Sequence, residues 1–142
     1  MPHAIRLNSA WEVRPLSETP ASATDVVEIV RSTKGAGRIN LPCNNLAAEI
    51  TLADESHAGW LLTRRFNRPS NLAVDQPVTL VIAGVPEETT LYLNDALLSG
   101  DGSQFPIRDL LRDNNRLDVV LGASISLAAA DFRLEIEESA TS

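Results

Sequence analysis

Short runs of aliphatic and β-branched residues recur between turn-forming segments along the whole chain. Each run is about five to eight residues long, which suits a β-strand better than a buried helix. The last run is the clearest, because Phe132, Leu134 and Ile136 alternate with charged residues, as in a strand with one face in the core and the other in water. Residues 78–82 are apolar on nearly both faces, which predicts a central strand. This pattern favours two packed antiparallel sheets.

We predict strands at 4–7, 11–14, 25–31, 37–41, 46–53, 60–67, 78–83, 89–94, 115–121 and 131–138. Pro106 and the apolar residues that follow it predict one short helical turn over 106–111, and no long amphipathic helix is predicted anywhere. The polar stretch 15–24 is interpreted as a surface loop. Along the strand at 115–121, Val120 interrupts the polar side of the alternation.

A chain of 142 residues has room for one continuous core, so we expect a single domain over 1–142 with a frayed tail at 139–142. The hydrophobic fraction of 44% is ordinary for a globular protein and argues against disorder. The predicted fold class is therefore all-β, an antiparallel β-sandwich.

The formal net charge of −7 argues against nucleic acid and anionic membranes as partners, because both are negatively charged. No run approaches the roughly 20 apolar residues that cross a bilayer, and the first residues do not resemble an export signal. Cys43 is the only cysteine, so no disulfide can form within the chain. A cytoplasmic location is the default expectation.

Six short motifs, in order between Ile39 and Val120, resemble the jelly-roll domain that precedes the catalytic barrel in family 2 glycoside hydrolases. They are Leu41-Pro42, the strand from Gly59 to Phe66 with its Gly-Trp start, the strand 78–85 ending in Gly-Val, the strand 90–95 ending in Asn-Asp, Phe105-Pro106-Ile107, and the Asn-x-Leu-x-Val strand 115–119. Two positions depart from the family's pattern: Asp95 replaces a turn glycine, and the loop at 100–104 is shortened.

The resemblance implies that the sandwich is a jelly roll of the galactose-binding-like kind. It also implies that chemistry belongs to a separate barrel domain, for which 142 residues leave no room, so we expect no enzymatic activity. The paired carboxylates at 54–55, 87–88 and 137–138 are interpreted as surface charge in turns or at a strand end. His3, His57 and Cys43 lack zinc-ligand spacing, which predicts no such metal site. A structural Ca²⁺ is a candidate cofactor, because family-like jelly rolls hold one through loop oxygens. The oxygen donors available for it are Asn94, Asp95, Asp101, Asp113 and Asn114.

The candidate ligand-binding residues are Trp11, His57, Arg64, Tyr92, Asn94 and Asp95. Sugar rings stack on exposed aromatic faces, and Trp11 and Tyr92 are the aromatic residues interpreted as exposed platforms. Trp60, Phe66, Phe105 and Phe132 are predicted to lie in the core. Arg64 shares the parity of Trp60, which favours an ion pair with a buried carboxylate and leaves a grip on a sugar as the alternative. A shallow site is expected at one end of the sandwich, near 54–59, 84–88 and 94–104.

Two hypotheses follow. The first is a noncatalytic carbohydrate-binding or accessory module related to family 2 glycoside hydrolases. The second is a protein-interaction or assembly module that has lost sugar binding, with a protein partner or a homo-oligomer formed through a sheet face; the small number of aromatic residues favours it.

Overall fold

The computed structural model describes residues 3–16, 20, 22–32, 37–41, 59–69, 76–85, 89–98, 104–122 and 129–136. The strands are β1 (His3–Arg6), β2 (Trp11–Leu16), β3 (Gly37–Ile39), β4 (Gly59–Asn67), β5 (Val78–Ala83), β6 (Thr90–Leu93), β7 (Ala96–Leu97), β8 (Gln104–Pro106), β9 (Asn114–Gly122) and β10 (Asp131–Ile136). The helix α1 spans Ala23–Ser32, and a 3-10 turn spans Arg108–Leu110. The strand predicted at 46–53 and the tail predicted at 139–142 lie outside the described residues.

The strands form two sheets. One has four strands in the order β1-β10-β5-β8, and the other has six in the order β3-β2-β4-β9-β6-β7. All the described pairs are antiparallel. Strands β4 and β9 pair over their full length, from Gly59 opposite Gly122 to Asn67 opposite Asn114. The predicted all-β antiparallel sandwich is confirmed.

The main core lies between the two sheets. The alternating residues Phe132, Leu134 and Ile136 of β10 are all buried there, as the sequence pattern predicts. Trp60 and Phe105 are buried in the same core, and Phe66 packs against it while remaining partly exposed. The core assignment of these aromatic residues is confirmed.

The segment predicted as a strand at 25–31 is helix α1, so that prediction is wrong. Its β-branched residues favour a strand by propensity. However, Val26, Ile29 and Val30 recur at helical spacing and pack together on the outer face of the six-stranded sheet. The Ser22 hydroxyl accepts a hydrogen bond from the Asp25 N–H at 3.3 Å, which caps the helix. Packing and capping therefore outweigh the intrinsic preference.

A second apolar cluster lies beneath this helix. Leu61, Tyr92 and Val120 point outward from the six-stranded sheet and contact the helix residues. Because α1 covers this part of the outer face, an apolar residue is favourable there. This explains why Val120 interrupts the polar side of the alternation along β9.

The remaining predictions differ at the ends of elements. The surface loop predicted at 15–24 is wrong at both ends, since β2 continues to Leu16 and α1 begins at Ala23. The helical turn predicted within 106–111 is confirmed. The two-residue strand β7 and the three-residue strand β8 were not predicted, because such short strands leave no alternating pattern to detect. Within the described ranges, every helix is too short or too polar to serve as a membrane span.

Candidate functional site

A cleft of about 730 Å³ lies at one end of the sandwich. It is bounded by the end of β1, the end of β4, the β6–β7 turn and the start of β9. We call it the arginine cleft, after five of the residues that line it. The lining residues are Ile5, Arg6, Leu7, Arg64, Arg65, Phe66, Asn67, Asn94, Asp95, Arg112, Asn114, Asn115 and Arg116.

The β6–β7 turn forms one wall of the cleft. Asn94 and Asp95 occupy left-handed backbone, with φ of 51° and 71°, as the sequence predicts for this hairpin turn. The Asn94 side chain donates hydrogen bonds to the Leu110 carbonyl at 2.8 Å and to Asn115 Oδ1 at 2.9 Å. Its own Oδ1 accepts a hydrogen bond from the Arg116 N–H at 2.9 Å. Asn94 therefore joins the turn to β9.

Asn115 holds the segment before β9 in place from the base of the cleft. Its Oδ1 accepts a hydrogen bond from the Arg112 N–H at 2.8 Å, and its amide donates to the Arg112 carbonyl at 2.9 Å. The same amide also donates to the Phe66 carbonyl at 3.3 Å. A buried side chain with this many hydrogen bonds restrains the backbone on both sides of the cleft.

Arg116 connects the cleft to the outer face of the six-stranded sheet. Its guanidinium forms ion pairs with Asp95 and with Asp118, the latter at 2.7 Å. Asp118 is 0% exposed and also accepts a hydrogen bond from the Thr63 hydroxyl at 2.8 Å. Burial raises the pKa of the Asp118 carboxyl, while the hydrogen bonds from Arg116 and Thr63 act in the opposite direction.

Thr63→Val is expected to destabilise the protein in a pH-dependent way. Burial raises the folded-state pKa of Asp118 above its ordinary value of 3.8. The stability that this group contributes therefore falls as the pH rises from the ordinary pKa to the folded-state pKa. Removing the Thr63 donor raises the pKa further. We expect a loss of about 1.5–3 kcal/mol above the folded-state pKa of Asp118, where the carboxyl is ionised, because the hydrogen bond is then to a charged group.

Urea unfolding at several pH values between about 7 and 4 measures this effect, and the loss should shrink towards the acidic end. Thr63→Ser keeps the hydroxyl and is the matched control. A loss of the same size at every pH would contradict the assignment of this hydrogen bond to the ionised carboxylate.

The two aromatic residues interpreted as sugar platforms are buried, so that prediction of exposed rings is wrong. Trp11 is 0% exposed, with its ring centroid 5.0 Å from that of Phe132 and its Nε1 donating to the Leu7 carbonyl at 2.6 Å. Tyr92 is 5% exposed and lies in the cluster beneath α1. Trp11 and Tyr92 lie on opposite faces of the six-stranded sheet, and packing covers both residues.

Three of the other candidate residues meet in the arginine cleft: Arg64, Asn94 and Asp95. The ion pair predicted for Arg64 is not found in the described part of the chain; its Nη1 donates instead to the Arg65 carbonyl. His57 lies outside the described residues, as do parts of the predicted loops at 54–59, 84–88 and 94–104.

The residues predicted to bind calcium do not form one site among the described residues. Asn94 and Asp95 bond to the β9 segment, and Asp101 lies outside the described residues. Asp113 and Asn114 are exposed at the start of β9. Among the residues that the structure describes, no three His, Cys, Asp or Glu side chains lie together as metal ligands do. The calcium site stays a prediction.

Most of the cationic lining was not predicted from the sequence, namely Arg6, Arg65, Arg112 and Arg116. The sequence features that could have indicated it are the two arginines at 64–65, near the end of β4, and the arginines at 112 and 116, on either side of the start of β9. The pairing of β4 with β9 places Arg65 directly opposite Arg116. These strands are not consecutive, so the pattern of either one alone does not reveal the juxtaposition.

The sequence matches no family model, and no curated protein matches it. Solved structures do match in fold. A β-glucuronidase of Ruminococcus gnavus shares 10% identity with a TM-score of 0.68, over 96% of this chain and 30% of that one. A family 2 glycosyl hydrolase of Bacteroides cellulosilyticus shares 13% identity with a TM-score of 0.66, over 95% of this chain and 20% of that one.

A β-glucuronidase of Bifidobacterium dentium shares 22% identity with a TM-score of 0.63, over 85% of this chain and 20% of that one. The chain therefore spans less than a third of the length of these glycosidases. At these identities the likeness is one of fold, and function has to be argued from the site. Over nearly its whole length, the chain resembles one domain-sized part of family 2 glycoside hydrolases.

Proposed function

We propose that this chain is a noncatalytic accessory module that binds carbohydrate through the arginine cleft. The observation that carries the proposal is the composition of the cleft. Ile5 and Phe66, which are partly exposed, supply apolar surface, while asparagine and arginine side chains supply hydrogen-bond donors. Apolar surface beside a few polar groups suits a pyranose, which has C–H faces and hydroxyl edges. A volume of about 730 Å³ falls within the range of small-ligand pockets.

The ion pairs of the nearby carboxylates support the noncatalytic part of the proposal. Glycoside hydrolysis by most families needs two carboxyl groups that flank the scissile bond. Asp95 is the carboxylate that lines the cleft among the described residues, and it is bound to Arg116. Asp118 is buried and bound to the same arginine. Both carboxylates have structural partners.

Affinity electrophoresis of the 142-residue chain through a panel of soluble polysaccharides, with and without calcium, tests the proposal. We expect at least one polysaccharide to retard the chain. Asn67→Ala combined with Asn114→Ala removes two exposed amides from the cleft rim and should restore free mobility. Gln104→Ala removes an exposed amide outside the cleft and serves as the matched control, with retardation unchanged.

Uniform mobility across the panel would overturn the carbohydrate proposal and favour a protein-interaction or assembly module. Sedimentation velocity on the same samples would then show whether the chain forms a homo-oligomer. Incubation with aryl glycosides at high protein concentration tests the noncatalytic part. Turnover that survives purification would contradict it.

A further inference from the structure

The arginine cleft is positively charged, whereas the molecule as a whole is negatively charged. The whole chain has a formal net charge of −7, whereas five arginines and one aspartate line the cleft. Like charges held close together repel one another. Asp118 lies outside the lining but pairs with Arg116, so five arginines face two carboxylates, and the local surplus is three positive charges on an acidic protein. An anion would stabilise such a site.

Strand register brings two of these cations face to face. Arg65 of β4 lies directly opposite Arg116 of β9, and like charges at such a position destabilise a sheet. Arg116 is compensated by Asp95 and Asp118. Arg65 and Arg112 are exposed and form no ion pair within the described part of the chain. These two guanidinium groups are available to a ligand.

Arg64 adds an unused donor deeper in the cleft. Its side chain is half-buried, on the strand face that also carries Phe66. Its Nε is buried and finds no hydrogen-bond acceptor in the described residues. Desolvation lowers the pKa of this guanidinium, since burial disfavours its charge. An unpaired buried donor is costly, and a ligand oxygen atom would reach this one only after the Arg64 side chain moved.

The neutral lining narrows the class of ligand. The partly exposed side chains of Phe66 and Ile5 suit a ring face, while the exposed amides of Asn67 and Asn114 suit hydroxyl groups. An inorganic anion would use neither of these features. A nucleic acid is much longer than the cleft, so most of its phosphate groups would lie against the rest of a protein whose net charge is −7. An acidic sugar uses the apolar surface, the amides and the arginines together.

We propose that the arginine cleft binds acidic oligosaccharides, with Arg64, Arg65 and Arg112 recognising the carboxylate groups of the sugar. This inference rests on the proposed carbohydrate-binding function and names the ligand class for it. Arginine suits this role because its planar fork pairs with a carboxylate through two parallel hydrogen bonds.

Isothermal titration calorimetry with three probes tests the inference on the 142-residue chain. The probes are trigalacturonate, its fully methyl-esterified form and a hexaglutamate peptide. The first two share one sugar scaffold and differ in charge, while the peptide carries carboxylates without a sugar. We expect trigalacturonate to bind at least about tenfold more tightly than the ester, as loss of a charge-assisted hydrogen bond implies. We also expect its affinity to fall with added salt.

Two variants of exposed arginines and one matched control distinguish the contribution of the cleft to binding from that of the protein's net charge. Arg65→Gln and Arg112→Gln should each weaken trigalacturonate binding about tenfold. Arg38→Gln changes the net charge equally at an exposed position on β3, outside the cleft, and should leave binding unchanged. Asp95→Asn removes the carboxylate of the cleft and should tighten binding.

Several outcomes would overturn the inference. Equal affinities for trigalacturonate and its ester would do so, and retardation by neutral polysaccharides would then leave the proposed carbohydrate function standing. Binding of hexaglutamate but of neither trisaccharide would assign the cleft to an acidic protein segment; the carbohydrate function would fall with it if the polysaccharide panel is also negative. An equal loss of affinity in Arg38→Gln and Arg65→Gln would show that net charge controls binding, and not the cleft.

Discussion

Trp11→Ala is expected to lower the free energy of unfolding by about 3–5 kcal/mol, as removal of a large buried aromatic side chain does. The indole is 0% exposed and packs on Phe132, and its Nε1 hydrogen bond fixes the Leu7 carbonyl. Alanine would leave a cavity and an unpaired carbonyl oxygen. A small domain is stable by only about 5–15 kcal/mol, so this loss is a large part of the total. Chemical denaturation of the unsubstituted protein and of Trp11→Ala measures the difference in the free energy of unfolding.

Trp11→Phe is the matched variant, because it keeps an aromatic ring and removes the N–H donor. We expect it to lose less stability than Trp11→Ala does. An unchanged free energy of unfolding in Trp11→Ala would contradict the burial of the indole. The result also affects binding experiments, since any sugar affinity lost in Trp11→Ala would reflect unfolding and would not identify a stacking platform.

Gly84→Ala is expected to destabilise the protein by about 2–5 kcal/mol. Gly84 has a φ of +70°, where an L-residue costs about 1–2 kcal/mol. A Cβ atom added there would also lie 1.9 Å from the Ala129 carbonyl oxygen. Relieving that overlap requires backbone movement between the end of β5 and the start of β10, at a cost of about 1–3 kcal/mol. Thermal and urea unfolding both measure the change.

Gly84→Asn separates the two contributions, because asparagine tolerates left-handed backbone and still carries a Cβ atom. If the steric overlap dominates, Gly84→Asn will be nearly as destabilising as Gly84→Ala. Gly37→Ala, at a strand position of β3 outside the left-handed region, controls for the loss of glycine itself. Equal effects at Gly84 and Gly37 would contradict the close approach to Ala129.

Most of the sandwich could be predicted from local pattern. The alternation along β10 and the apolar run of β5 report burial on one face or on both, which depends only on side chains within one strand. The left-handed turn at Asn94 and Asp95 could also be predicted, because few residue types tolerate that backbone. Helix α1 could not be predicted from propensity, because its β-branched residues favour a strand and packing decided otherwise.

The candidate site depended much more on the tertiary structure. Trp11 and Tyr92 are on faces that look available along a single strand, and packing partners from distant parts of the chain bury both of them. The arginine cleft arises because β1, β4, the β6–β7 turn and β9 end close together. Parity along one strand cannot show which strand will be its neighbour.

The all-β class, the order of the motifs and the hairpin turn at 94–95 can be predicted from the amino-acid pattern alone, because they follow from alternation and from backbone preferences that act locally. The burial of individual aromatic rings, the face that α1 covers and the cations that meet in one cleft depend on tertiary packing. Burial and electrostatic environment are properties of neighbours in space, and those neighbours are set by strand pairing over long sequence separations.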